Sequence, residues 1–433
     1  MTTSLPLFHA AMSWARARDE RRIARRPDAP APLGAFASLW AGVKFAVLAI
    51  TAPGWVPGVL AAAALNHRRA KRDIIAFPDA MAAIANRRPT HLAADDVIER
   101  RSDERVVIFS DLHRCIAGRR DWPSRQSTKD LYADVLDRYA NEAWTLCENG
   151  DVEDFWMVGG SAAGAVYDAA RIAGAACARR DPSVLNEVYR TYVDGVVANN
   201  ERIYAVLRDR FVAAGRYVRT IGNHDDPLRR TEVLKVLHER LGPFPVGDFV
   251  TLRRHDDALE CLIAHGHHTD GWNAPHRDFI GKFSTWFGNT IVDVPGLSLP
   301  EGLPPQDAAR QLLALGPSDR LIELHPLIGA TRNYDSLDEE LLFAAVEARG
   351  LTDRWLVLGH THIPMDGPGS KHGGTWRGYV NGGSGIVDNL ITGVEWDGSE
   401  PEPRPRLVAW TKSPTGELER LVLSEEATRS VAS

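Results

Sequence analysis

The chain has 433 residues, 44% of them hydrophobic and 25% charged, with a formal net charge of −6. That is enough length for one large buried core with an appendage, in the composition of an ordinary water-soluble globular protein. The acidic total gives no general attraction to nucleic acid. Four cysteines without paired spacing (Cys115, Cys147, Cys177, Cys261) fit a reducing cytoplasm and need no disulfide staple.

The charge is unevenly spread. Within residues 1–72, eleven Lys/Arg stand against three acidic residues, a local +8 that leaves −14 on the remainder. A basic arm on an acidic body favours an anionic surface such as the inner face of a membrane, with a solvated basic helix as the plainer alternative. Residues 1–26 read as a helix ending in an Arg-rich turn, stopped by Arg26-Pro27. The N-terminus lacks the short basic region followed directly by an apolar one that marks a secretory signal. Residues 45–65 then run 21 positions without a charge, long enough to span a bilayer. Pro53-Gly54 and Pro57-Gly58 interrupt that run and predict two short apolar helices instead of one. Basic residues flank it on both sides, at 21–26 and 68–72, which argues for a hairpin or an interfacial segment rather than a crossing.

The division predicted from this is a helical appendage over 1–103, a catalytic body over 104–426 and a frayed tail over 427–433. In the body, short apolar runs at 105–109, 217–221, 259–264, 355–358, 379–380 and 407–410 predict buried strands. Helical stretches lie between them, notably 129–147 and about 183–214. Strands alternating with helices indicate an α/β layered fold. Residues from about 271 to 350, rich in Phe, Trp, Leu and Pro, read as a mostly helical insertion. The chain shows no internal repeat.

What carries chemistry is the position of polar clusters relative to those strands. Asp111 and His113 follow the first run. Asn149-Gly150-Asp151-Val152-Glu153-Asp154 follows the apolar stretch at 144–147. Gly222-Asn223-His224-Asp225 follows 217–221, His265-Gly266-His267-His268 follows 262–264, and Gly359-His360-Thr361-His362 follows 356–358. Five strand ends that finish in Asp, Asn or His are expected to converge in one crevice at the edge of a sheet. Oxygen and imidazole donors without thiolate suit Mn²⁺, Fe or Zn²⁺, with Mn²⁺ favoured. Seven donors exceed the needs of one ion and serve two if a carboxylate bridges. Two such cations can clamp a phosphoryl group and generate a hydroxide between them.

These five motifs in this order resemble the calcineurin-like metallophosphoesterase superfamily over about residues 104–390, including the segment Tyr379-Val380-Asn381-Gly382-Gly383-Ser384. The resemblance implies an αββα fold, a two-sheet β-sandwich flanked by helices. It implies that one metal takes Asp111, His113, Asp151 and His362, and the other Asp151, Asn223, His265 and His360, with Asp151 bridging. His224 would act on the substrate, protonating the leaving oxygen or stabilising the transition state, with Asp154 orienting it. The run Asn149–Trp156 and the long insertion are similar to the UDP-2,3-diacylglucosamine hydrolase branch, which cleaves a pyrophosphate in a lipid precursor at the membrane. A phosphorylated small molecule, a nucleotide sugar or a lipid-linked phosphate is therefore the expected substrate class.

Other residues have weaker assignments. Arg114, with Arg119, Arg120 and Arg125 further along its loop, is a candidate for gripping phosphate, and Asp225 is placed on the substrate side with it. Arg229 and Arg230 are further candidates. Phe283, Trp286 and Phe287 either line an apolar groove or pack in a core. His267 and His268 are read as supporting or exposed residues, and Cys115 as a packed thiol. The competing functions are a nucleotide or cyclic-nucleotide phosphodiesterase and a non-catalytic scaffold that keeps the fold to bind protein partners.

Overall fold

The computed structural model describes residues 35–88, 97–117, 121, 126–156, 166–171, 173, 182–270, 272–275, 278–283, 285, 304–313, 339–349, 353–367 and 378–424. The helix expected over 1–26, Arg119, Arg120, Arg125, Trp286, Phe287, Cys177, most of the 271–350 insertion and the 427–433 tail lie outside the described residues.

The described chain begins with a long helix α1 (Ala35–Ala85), then β1 (Val97–Arg101), β2 (Arg105–Phe109), α2 (Gln126–Asn141) and β3 (Thr145–Asn149). Next come α3 (Pro182–Asn199), α4 (Glu201–Val206) with a π-helical turn at Leu207–Val212, β4 (Tyr217–Thr220) and α5 (Thr231–Leu241). The strands β5 (Val246–Gly247), β6 (Phe249–Arg253) and β7 (Leu259–Ala264) precede α6 (Pro305–Leu313) and α7 (Glu339–Ala348). The chain closes with β8 (Trp355–Leu358), β9 (Pro364–Asp366), β10 (Tyr379–Gly382), β11 (Ile391–Asp397), β12 (Pro405–Lys412) and β13 (Leu418–Val422).

The strands form two mixed sheets, one ordered β13-β12-β11-β2-β3-β4-β5 and the other β1-β6-β7-β8-β10-β9. In the first, β2 to β5 run parallel; in the second, β7, β8 and β10 run parallel. Their near-continuous apolar sequences follow from burial on both faces. Successive side chains of a strand point to opposite sides, and the cores record it. Val106 and Ile108 of β2 join Cys261 and Ile263 of β7 in the cluster between the sheets. Val107 and Phe109 turn outward to α2 and its neighbours. Leu262 and Ala264 turn the other way, to Ile74, Phe77, Met81 and Ile84 of α1 and Leu342 and Val346 of α7. The result is two sheets face to face with helices on both outer faces, an α/β fold.

Three details differ from the sequence reading. The helix predicted over 129–147 stops at Asn141, Ala143 takes a left-handed φ of 60°, and Thr145–Asn149 is a strand. Pairing of that segment on both edges, with β2 and β4, outweighs its local helical preference. The boundary at 103 falls after β1, which pairs with β6, so the N-terminal segment supplies a strand to the second sheet. Residues 45–65 are not two short helices: α1 runs unbroken through Pro53, Pro57 and Pro78. Pro53 and Pro57 both lie on its exposed side, where the carbonyls they leave without a donor stay open to other partners.

Candidate metal centre

The ends of the parallel strands gather the polar motifs. Backbone hydrogen bonds weld the first two loops: Asp111 N–H donates to the Gly150 carbonyl at 3.1 Å, and Leu112 and His113 both donate to the Asp151 carbonyl at 2.9 Å. The second sheet is tied in by Gly359 N–H to the His265 carbonyl at 3.0 Å. Asn149 spans both sheets: its amide donates to the Ala264 carbonyl at 2.8 Å and its oxygen accepts from Thr220 Oγ1 at 2.8 Å. Two glycines are required by the closeness of these loops. A Cβ at Gly222 would meet the carboxylate and backbone nitrogen of Asp151, and one at Gly359 would meet Ser110 and Asp111.

Asp111, His113, Asp151 and His362 form one group of potential metal donors, and Asp151, His265 and His360 a second; within each group the donor atoms lie within 4.8 Å of one another. His362 Nε2 is 3.2 Å from Asp111 Oδ1 and 3.0 Å from His113 Nε2. His265 Nε2 is 3.2 Å from both Asp151 Oδ2 and Asn223 Oδ1. Asp111, His113, Asp151, His265 and His360 are at most 1% exposed. Five of these residues, Asp111 (φ 54°), His113 (45°), Asp151 (52°), His360 (71°) and His362 (61°), have left-handed backbones. Among the described residues only nine other than glycine do so, which concentrates a strain of about 1–3 kcal/mol each at this one place.

The imidazoles are oriented from behind. His265 Nδ1 lies 2.9 Å from the Asn149 carbonyl, so Nδ1–H donates and Nε2 is the ring atom facing the carboxylates. His113 Nδ1 is 2.7 Å from Asp154 Oδ2. His360 is held at Nε2, 2.8 Å from Asp270 Oδ2, and its buried Nδ1 has no hydrogen-bond partner among the described residues. That nitrogen is the one left for a cation. The donor set of carboxylate, amide oxygen and imidazole without thiolate fits Mn²⁺, Fe or Zn²⁺.

His224 stands beside this cluster. Its Nδ1 is 2.9 Å from Asp154 Oδ1, its backbone N–H donates to Asp151 Oδ1 at 2.7 Å, and its ring stacks on Trp156 with centroids 4.4 Å apart. Asp154 thus faces two histidines at once, hydrogen-bonded to His113 through one oxygen and paired by charge with His224 through the other.

Electrostatics follow from burying carboxylates among imidazoles. Burial alone would raise the Asp111 and Asp151 carboxyls, but the facing histidines outweigh it and hold both below the ordinary range. Burial pulls His265 down, yet Asp151 and Asp111 hold it up at about 10. His224 is likewise held up at about 9 by Asp154 and Asp151 against its own burial. In His113 burial wins over Asp154 and the ring stays below its ordinary value. The cluster attracts positive charge, and protons and cations compete for the same atoms.

Two expected substrate residues are placed elsewhere. Arg114 turns inward, 1% exposed, to pair with Glu148 between the rings of Tyr132 and Tyr204. Asp225 is fully buried and accepts hydrogen bonds from the Gly222 and Val152 backbones, with Arg219 at 3.3 Å. Neither is available to a substrate, so both assignments are corrected. Arg229 pairs with Asp248, and Arg230 Nε donates to Asn186 at 2.7 Å. His267 and His268 are each 2% exposed, not surface residues. Cys115 is buried, its Sγ 3.8 Å from the Asp154 carbonyl, and Cys147 and Cys261 are buried thiols.

The sequence reading missed Asp270, Asn149 and Trp156 as parts of the site. Asp270 had a signal, an acid five residues past His265 in a run of histidines; the other two stood in a quoted motif without a role. No family model matches the chain, and no curated protein matches it.

Proposed function

We propose that this protein is a dinuclear metal-dependent phosphoesterase of the calcineurin-like kind, hydrolysing a phosphoester or pyrophosphate bond. The observation that carries the reading is the position of Asp151. Its carboxylate belongs both to the group with Asp111, His113 and His362 and to the group with His265 and His360. Two donor sets sharing one carboxylate are what a closely spaced cation pair requires. Further support comes from the strained ligand backbones, and from two facing sheets with helices outside both.

Asp111, His113, Asp151 and His362 would hold one cation, and Asp151, Asn223, His265 and His360 the other, with Mn²⁺ favoured over Fe and Zn²⁺. Such ions neutralise phosphoryl oxygens and acidify an attacking water. The remaining work falls to the chain's own groups. Asp154, 2.9 Å from Nδ1, favours the charged His224 ring, and Nε2 is the ring atom that would hand a proton to the departing oxygen. Trp156 keeps the imidazole in that plane by stacking. Lys282 lies 5.5 Å over the Trp156 ring and is paired with both Asp226 and Asp278.

The test is metal content together with turnover. Purified protein loaded with Mn²⁺ should carry two ions per chain by elemental analysis and hydrolyse bis(p-nitrophenyl) phosphate, p-nitrophenyl phosphate or a nucleotide sugar. Asp151→Ala should lose ions and turnover together. A wild-type protein that binds the metals and cleaves none of these substrates would refute the reading.

A further inference from the structure

The two sides of α1 have different chemistry. One side packs on the body. Lys44 Nζ reaches Asp168 at 2.7 Å, the Trp55 and Phe283 rings meet with centroids 4.9 Å apart, and Ala70, Ile74, Phe77, Met81 and Ile84 are buried. At 100° per residue these positions share one stripe. The opposite stripe carries Leu39 (67% exposed), Val43, Val47, Ile50 (81%) and Leu65, and Phe45 and Leu60 on the other faces of this stretch are exposed as well. A helix lying on a soluble body normally turns charged residues outward. Here Lys44, the only charged residue between 35 and 67, is turned inward. Directly after the apolar stretch come Arg68, Arg69, Lys71 and Arg72, all exposed. Arg68 and Arg72 continue the outward stripe.

We propose that this outward face of α1 docks on an anionic lipid bilayer, lying along it rather than crossing it. The inference stands apart from the proposed phosphoesterase activity. Charge complementarity selects the partner: apolar side chains enter the acyl boundary while the basic collar meets anionic headgroups. Within Ala49–Ala85 one 18-residue segment reaches a mean hydropathy of 1.2, so by length and composition alone the helix could cross a membrane. Two observations favour lying flat. A crossing would strip the helix from Asp168 and Phe283. Pro53 and Pro57 also leave two helix carbonyls without donors, which is costly in hydrocarbon and tolerable among hydrated headgroups.

The full-length protein should co-sediment with phosphatidylcholine vesicles containing phosphatidylglycerol, more weakly with phosphatidylcholine alone, and should be released by salt or alkaline carbonate. The double variant Val47→Glu/Ile50→Glu changes two exposed positions and should lower binding at least about tenfold with its circular dichroism unchanged. Arg68→Glu/Arg72→Glu should abolish the preference for anionic vesicles. Binding unchanged in both variants, no vesicle binding by the wild type, retention after carbonate, or a stable dimer that hides Ile50 would each overturn the proposal.

Discussion

Asp111, His113, Asp151, Asn223 and His224 alternate along three loops with Arg114, Glu153 and Asp225, yet the two sets end in different surroundings. The second set sinks into a closed network. Arg114 pairs with Glu148, and Arg219 with Glu153 and Asp225. The hydroxyls of Tyr132, Tyr217 and Tyr204 donate to the two glutamates. Burial raises the Asp225 carboxyl to about 6 even with Arg219 beside it, and each acid of the network still faces an arginine. The first set has no such closure: among the described residues, neither Asp111 nor Asp151 pairs with lysine or arginine. Adjacent charged residues therefore divide into a cluster completed by protein and a cluster that calls for cations. Neutralising partners, rather than burial, tell the two apart.

The comparison breaks most visibly at Asp151. Asp151→Ala should remove both ions and lower turnover by about 10⁴-fold or more; elemental analysis showing two retained ions would mean that this carboxylate is not shared. His224→Ala should keep both ions and lose about 10²–10⁴ in kcat, whereas a kcat near wild type would exclude His224 as proton donor. In the closed network the loss should be one of stability. Arg114→Met leaves Glu148 buried and unpaired, costing about 3–5 kcal/mol in chemical denaturation, with metal content of the folded protein unchanged. Adding Glu148→Gln should restore much of it.

Smaller effects sharpen the boundary. Asp270→Ala frees His360 to turn, and should weaken binding of one ion about 10–100-fold while leaving the other untouched; two equal losses in a titration would contradict the separate donor groups. Acid should act through His265. Its pKa is raised from 6.5 to about 10, so between about pH 6 and 8 a cation must displace its proton. Apparent affinity should then rise about tenfold per pH unit. A flat profile would show that His265 is not a ligand.

The strand ends and their polar motifs were legible in the sequence because unbroken apolar runs mark parallel strands buried on both faces, and ligands follow them directly. The edge strand Val97–Arg101 was not, since its sequence VIERR has two apolar residues and little burial. Side-chain direction in the loops was also hidden. Nothing local distinguishes Arg114, which turns toward Glu148, from His113, which turns toward Asp154; the deciding partners lie 34 and 41 residues away. The unbroken α1 escaped because a proline in a sequence signals a break, whereas α1 runs on through Pro53, Pro57 and Pro78.

The donors of each proposed cation position are split between the sheets. Asp111, His113 and Asp151 extend from β2 and β3, and Asn223 from β4, while His265, His360 and His362 extend from β7 and β8. An ion bound there would act as a rivet through the sandwich, resisting any sliding of one layer over the other. Loading with metal would consequently raise the melting temperature of the whole molecule, by mass action on the native state alone. A chelator would soften the fold as well as silence the site.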